Sequence, residues 1–273
     1  MTASADVFVP PKAGDDAGHA GEGSLLPRLR ARAPWWLLPT TVVAILGGFI
    51  VYSMWVATKG VAQPVNGAGQ VTAPYLSPFY SPTWITDNIR PPVFPAALAL
   101  IVPVLFRGTC YYYRKAYHRS FLWDPPACAV PELRHRTYRG ETVLPFVLNN
   151  LHRFAFYLAA VYIVLLSIDA VQAFSLHGSA YLGLGTGIML LNVVLLAGYT
   201  FICHSFRHLV GGGIDCWSCV RFGDARHQLW RGVSRLNLSH PTWAWVSLFS
   251  VLSVDVYIRM LNAGWFTDPH IFG

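Results

Sequence analysis

Five apolar stretches dominate this sequence, and each is close to the roughly 20 residues that a helix needs to cross a bilayer. In hydrocarbon, every backbone N–H and C=O must be paired internally, which favours helices for stretches of this length and apolarity. The sequence therefore predicts an all-α fold, a polytopic membrane bundle of five transmembrane helices. The predicted spans are residues 35–57, 93–113, 143–174, 180–208 and 243–263.

The basic residues predict the orientation of this bundle. Lys and Arg number 20 against 13 Asp and Glu, and they cluster before the first span and after the second and fourth. This is the positive-inside pattern, which places the N-terminus in the cytoplasm and the C-terminus outside. The net charge of +7 is thus explained by topology, and no nucleic-acid partner is expected.

The remaining segments divide the chain into three parts. Residues 1–33 are interpreted as a flexible cytoplasmic tail, because their first part is rich in Gly, Ala and Asp and lacks an apolar core. Residues 34–266 form the transmembrane domain, and residues 267–273 an outer tail. The Pro- and aromatic-rich connection 58–91 is interpreted as a surface loop, with a lid over a lipid-soluble ligand as the alternative.

A short motif at the end of the fourth span, Cys203-His204-Ser205-Phe206-Arg207-His208, predicts a redox or metal centre. His204 and His208 are four residues apart and share one face of a helix. The alternative is that both histidines only stabilise a helix C-terminus through its dipole. All five cysteines fall on the predicted cytoplasmic side, where disulfides are not expected.

Three centres fit the histidines and cysteines on that side. A Rieske-type [2Fe–2S] cluster takes two Cys and two His, a single haem b takes two histidines, and a zinc site takes the same ligand types. No histidine lies in the outer half of a predicted span, so two haems are not expected. The candidate ligands are Cys110, Cys128, His152, Cys203, His204 and His208.

Several motifs carry a resemblance to a known family. They are Phe106-Arg107, Thr109 to Tyr117, Pro125 to Cys128, Tyr138 to Thr142, Asn150 to Arg153, Cys203 to Ser205, Arg207-His208 and Gly211-Gly212. Together they resemble the membrane-anchor subunit of the succinate dehydrogenase/fumarate reductase of high-GC Gram-positive bacteria, in the variant with one five-span anchor. The resemblance covers roughly residues 93–265.

This resemblance implies a multi-pass subunit of respiratory complex II in the bacterial plasma membrane. Flavoprotein and iron–sulfur subunits would oxidise succinate, and the anchor would pass the electrons to a quinone, which the resemblance implies to be menaquinone. Many related five-span anchors hold two haems, whereas the missing outer histidines point to the haem-less subgroup with a Rieske-type cluster. Membrane lipids and a higher oligomer of the complex are further expected partners.

Residues with aromatic, imidazole or guanidinium groups at the two membrane faces are candidates for quinone binding. The inner-side candidates are Tyr111, Arg114, His118, Arg153 and His208, and the weaker outer-side candidates are Trp84, Asp169, Asp255 and Arg259. For Asp255 and Arg259 the alternative is a structural ion pair. That pair is also the main support for a different class, a membrane protein without redox function such as a transporter or a zinc-stabilised scaffold.

Overall fold

The computed structural model describes residue 34 and residues 36–83, 95–121 and 146–272. Within this part, the helices are α1 (Leu37–Lys59), α2 (Pro95–Thr109), α3 (Tyr111–Phe121), α4 (His152–Gln172), α5 (Leu184–Phe201), α6 (His204–Gly211), α7 (Gly223–Asn237) and α8 (His240–Asn262). The strands are β1 (Ser175–Leu176), β2 (Ser179–Ala180), β3 (Leu182–Gly183) and β4 (His270–Phe272). Antiparallel pairs form between β1 and β2 and between β3 and β4.

Four helices in the described part are long and apolar enough to cross a membrane, namely α1, α4, α5 and α8. Helix α2 is apolar too, but it has 15 residues in the described part, and the 11 residues before it lie outside that part. The predicted fold is therefore confirmed in its coarser form, since the described part is mostly helical and contains four candidate membrane spans. The fifth span and the orientation of the termini stay predictions.

The bundle is built around α5, which packs against α4 on one side and α8 on the other, while α2 packs against α4. Helix α1 lies against α2 and α3. One end of the bundle carries Cys110, His152, Cys203 and His240, and we call it the cysteine end. The opposite end carries Asp255 and Asp268, and we call it the aspartate end.

The predicted fourth span is too long. Helix α5 ends at Phe201, and Cys203 has an extended backbone (φ −70°, ψ 161°) that starts the separate helix α6. The break is stabilised by Asn237, whose side-chain amide donates a 2.7 Å hydrogen bond to the Ile202 carbonyl. His204 and His208 therefore lie on a short helix beyond the span.

The second and third spans also differ from their predicted limits. Helix α2 ends at Thr109 and α3 begins at Tyr111, so the predicted second span is interrupted at Cys110. In the third span, a 3₁₀ segment over Phe146–Leu151 precedes α4, so His152 begins the α-helix. Asn149 and Asn150 sit in this segment, and Asn side chains compete with the backbone hydrogen bonds of an α-helix.

Residues 73–82 of the connection after α1 form a buried plug, so the surface-loop interpretation is wrong for them, whereas residues 65–70 are exposed as a surface loop is. Tyr75, Phe79 and Tyr80 are at most 5% exposed. The plug is held by hydrogen bonds: the Ser77 hydroxyl donates to Asp255, and the Tyr80 hydroxyl donates to the Val56 carbonyl. The plug therefore packs on the aspartate end of the bundle.

Asp268 connects the C-terminal segment to the plug through hydrogen bonds. The hydroxyls of Tyr75, Tyr181 and Tyr257 all donate to its carboxylate, and the backbone N–H of Gly185 adds a fourth hydrogen bond. Burial, followed by the hydrogen bond to Asp268, raises the pKa of the Tyr181 hydroxyl to about 12. Because the side chain of Asp268 is buried, its charge is stabilised mainly by these donors.

Replacing Asp268 with Asn tests this arrangement. The amide keeps the shape but loses the charge and faces donors with its own NH₂ group, so we expect a loss of about 2–3 kcal/mol in unfolding free energy. The measurement is the thermal unfolding of the purified membrane complex in detergent. The control is Asp215→Asn, an exposed carboxylate, and an Asp268→Asn midpoint equal to that of the control contradicts the role.

Candidate functional site

A cavity of about 890 Å³ opens at the cysteine end between α2, α3, α4, α6 and α8. Its wall combines thiols, imidazoles, amides and one guanidinium. The lining residues are Thr109, Cys110, Tyr111, Tyr112, Asn150, His152, Arg153, Phe154, Cys203, His204, Ser205, His208, Asn237, His240 and Pro241. Five of the six predicted ligands thus line one cavity, although they come from separate segments of the chain.

The deep part of the cavity holds Cys110 and His240. The Cys110 sulfur lies 3.7 Å from Nε2 of His240 and the thiol is 3% exposed. The other ring nitrogen of His240, Nδ1, is buried without a hydrogen-bond partner among the described residues. A buried polar atom with no partner costs free energy, so this imidazole is poised for a further interaction.

His152 lies beside this pair and is held in place on two sides. Its Nδ1 is 3.0 Å from the Thr109 hydroxyl, and its ring stacks on Phe106 with centroids 4.7 Å apart. Phe106 in turn packs against Tyr199, whose ring stacks on His240 at 5.1 Å. The two imidazoles are therefore fixed by one aromatic framework.

Cys203 completes the deep wall. It is 1% exposed and belongs to the same buried cluster as Cys110. Burial raises the pKa of its thiol to about 11, so the thiol is uncharged at neutral pH unless a cation binds it. This behaviour is typical of a buried cysteine that reacts only when a positively charged group stabilises the thiolate.

His204 and His208 lie on the rim of the cavity, and both are exposed. Desolvation, with smaller effects from Arg207 and His208, lowers the pKa of His204. Among the described residues, no group of three or more His, Cys, Asp or Glu side chains is arranged to hold a single metal ion. The predicted ligands therefore share a cavity without forming a closed mononuclear site.

The inner quinone candidates lie at the mouth of the same cavity. Tyr111, Arg153 and His208 line it and are exposed, while the Arg114 guanidinium stacks over the Tyr111 ring at 4.4 Å. The predicted group is thus brought together except for His118, whose side chain lies outside the described part. Cys128 and Trp84 lie outside it as well.

The outer quinone candidates have structural partners. Asp255 is fully buried and accepts hydrogen bonds from Tyr52, Ser77 and Arg259, the last at 2.7 Å. Asp169 accepts a hydrogen bond from the Ser81 hydroxyl. These contacts support the structural ion pair that the sequence left open, and a role in quinone binding stays a prediction.

Cys216 and Cys219 form a disulfide, so the expectation of reduced cysteines throughout is wrong for this pair. The reason is local, because the 3₁₀ turn Trp217–Cys219 brings the two Cα atoms to 5.3 Å, a normal spacing for a disulfide. The pair lies outside the cavity. Cys110 and Cys203 are free.

Sequence reasoning missed His240 because it placed the start of the fifth span at Trp243. The signal was present, since His240 directly precedes Pro241 near a predicted inner end, and His152 and Cys203 were also predicted on that side. It also missed Tyr199, whose hydroxyl is buried without a hydrogen-bond partner within the described part. Tyr199 faces a second cavity of about 410 Å³, which is almost wholly apolar.

Two comparisons with known proteins agree on the family. The family described as actinobacterial succinate dehydrogenase subunit SdhC matches residues 37–264 of this chain. A chain of the Mycobacterium smegmatis Sdh1 complex in the apo form is 35% identical, with a TM-score of 0.76, over 89% of this chain and 93% of that chain. No curated protein sequence matches this chain.

The apolar helices define a multi-pass α-helical membrane protein, which has a donor-lined cavity at one end of its bundle. This chain belongs to the actinobacterial succinate dehydrogenase SdhC family. It is thus a membrane-anchor subunit of complex II in the bacterial plasma membrane, and the resemblance seen in the sequence is confirmed. Because the chain belongs to this family, it assembles with the catalytic subunits of a succinate dehydrogenase complex.

Proposed function

We propose that this chain docks an iron–sulfur subunit at its cysteine end and reduces menaquinone in the cavity there, with electrons that originate from succinate. We further propose five spans, with the cysteine end facing the cytoplasm. The observation that carries the proposal is the composition of one cavity: redox-type ligands lie deep in it, and groups suited to a quinone head lie at its mouth.

The orientation is supported by charge. The loop and helices at the cysteine end between α5 and α8 carry Arg207, Arg221, Arg226, Arg231 and Arg235, whereas the described connection between α4 and α5 carries no Lys or Arg. Basic residues favour the cytoplasmic side of bacterial membranes. Soluble partner subunits on that side would meet the mouth of the cavity directly.

The residues of the deep wall fit a Rieske-type cluster by their chemistry. Such a cluster takes two Cys on one iron and two His on the other. It therefore needs two pairs of ligands, whereas a single metal ion needs all of its ligands around one point. Cys110 with Cys203 and His152 with His240 supply these pairs, and Nδ1 of His240 is the orphaned buried atom expected beside an absent group. When bound, the cluster supplies one-electron transfer.

The sequence predicted His204 with His208 or His152 on one iron, and two of the three cysteines Cys110, Cys128 and Cys203 on the other. We prefer His240 because it lies in the deep wall beside Cys110, while His204 and His208 are exposed at the rim. The alternative keeps the role but places one haem b between His152 and His204 or His208. A sharp reduced α-band in the visible spectrum distinguishes the haem from a cluster.

At the mouth, the chain's own residues position the quinone head. Arg153 offers a charged donor and Tyr111 a hydroxyl, both on the open side of the cavity. A quinone carbonyl gains negative charge on reduction, so a guanidinium stabilises the reduced form more than the oxidised form. His208 also lines the cavity and adds an imidazole that can hydrogen-bond to a quinone oxygen.

The ligand assignment predicts an electron paramagnetic resonance result. The intact complex is expected to show a Rieske-like signal in addition to those of its iron–sulfur subunit, and Cys110→Ser or His240→Ala is expected to abolish it. The controls are Cys216→Ser and His227→Ala, whose side chains lie outside the cavity. An assembled complex with an unchanged spectrum in both site variants, or a haem band in the wild type, contradicts the assignment.

The quinone site predicts a kinetic result for Arg153→Ala. Loss of a charge-assisted hydrogen bond of about 1.5–3 kcal/mol lowers kcat/KM for a soluble menaquinone analogue at least about tenfold. Succinate oxidation with an artificial dye is expected to stay unchanged, because it does not use the anchor.

The matched control for this experiment is Arg231→Ala. It removes an exposed arginine of the same end that does not line the cavity. If Arg153→Ala and Arg231→Ala reduce the analogue as fast as the wild type does, the cavity mouth is not the quinone site.

A further inference from the structure

Helix α7 is amphipathic, and it lies between the short helix α6 and the start of the membrane span α8. One of its faces packs on α6: the Arg207 guanidinium stacks over Trp230 at 5.1 Å, and Nε of Arg226 donates a 3.0 Å hydrogen bond to the Val210 carbonyl. Val233 is buried in the same contact. This packing fixes which side of α7 is left open.

The open side carries an apolar stripe. Phe222, directly before α7 and with a left-handed backbone (φ 58°), is followed on the helix by Leu229 and Leu236, which are seven residues apart, close to two helical turns. They are 69%, 49% and 48% exposed. Leu238, directly after α7, is a further exposed leucine at 85%, two residues before α8 begins.

A second, polar stripe runs parallel to the first. Arg221, Gln228 and Arg235 each precede a member of the apolar stripe by one residue, and all three are exposed. Asp224 is the acidic residue of α7, whose other ionisable groups are basic or imidazole. Exposed apolar residues flanked on one side by arginines are typical of a helix that lies in the plane of a membrane interface.

We propose that α7 is such an interfacial helix, and that Arg221 and Arg235 bind the phosphate groups of anionic phospholipids. The apolar stripe enters the leaflet on the cysteine end, and the two arginines reach the headgroups beside it. The position of α7 in the chain supports membrane lipid as the ligand, because the membrane span α8 begins three residues after α7 ends. The site goes beyond quinone reduction and does not depend on it.

The test uses the intact complex in nanodiscs of equimolar phosphatidylglycerol and phosphatidylcholine. The readout is the ratio of the two lipids that remain bound after transfer to detergent, measured by mass spectrometry. The wild type is expected to enrich phosphatidylglycerol, and Arg221→Gln with Arg235→Gln is expected to lower this enrichment about fivefold for each arginine lost.

A matched control and a second variant make the result specific. Arg231→Gln removes the same charge from a residue about 200° around the helix from Leu229, and we expect the enrichment to stay at the wild-type level. Leu229→Gln with Leu236→Gln keeps the arginines and the helix propensity, and we expect it to lose the enrichment. Both results support an interfacial lipid site.

Three outcomes overturn the proposal. They are an unchanged lipid ratio in the Arg221/Arg235 variant, an equal loss in Arg231→Gln, and dissociation of the iron–sulfur subunit from the variant while the lipid ratio stays the same. The last outcome shows that a partner protein covers this face of α7. Quinone reduction is measured separately, so failure here is distinguishable from failure of the quinone site.

Discussion

The position of Arg107 decides how the cysteine end is built. Its guanidinium donates to the Tyr113 hydroxyl at 2.6 Å, to the Ala244 carbonyl at 3.0 Å and to the Ser247 hydroxyl at 2.9 Å. A charged group within a membrane bundle is tolerated only when such partners replace water. These bonds join α2 and α3 to α8, and so hold Cys110 beside His240 at the bottom of the larger cavity.

The two ends of the bundle pair their buried polar groups to different extents, although Nη2 of Arg259 at the aspartate end also has no hydrogen-bond partner among the described residues. At the aspartate end, Asp255 and Asp268 are surrounded by hydroxyl and guanidinium donors, which fix the plug and the C-terminal segment. At the cysteine end, Nδ1 of His240 and the Tyr199 hydroxyl are buried without partners among the described residues. Buried polar groups that have hydrogen-bond partners stabilise a fold. Buried polar groups without partners mark a place where another molecule can supply the missing hydrogen bond.

The sequence predicted the class of fold and the side of the site because both depend on strong local signals. Apolar length identifies the spans, and Cys203 to His208 stands out at the end of one. The end of α5 at Phe201 was not predictable, because it depends on a hydrogen bond from Asn237, which is distant in the sequence. The buried plug was missed for a similar reason, since its serines pair with carboxylates on other helices.

The same limit applies to the ligands. Cys110, Cys203 and His152 were identified by residue type at the inner ends of spans, and they line one cavity. His240 was missed because its role depends on its contact with Cys110, 130 residues earlier in the chain. Residue type and depth therefore indicated the site, but the pairing of helices decides which histidine reaches the thiol.

The most direct test of the account is photo-crosslinking of the intact complex with an azido-menaquinone analogue, followed by peptide mapping of this chain. The account predicts adducts at the mouth of the larger cavity, on the peptides that contain Tyr111, Arg153 or His208, and their suppression by excess unlabelled quinone. Suppressible adducts confined to the peptides of Trp84, Asp169 or Asp255 contradict it, because they place quinone reduction at the aspartate end.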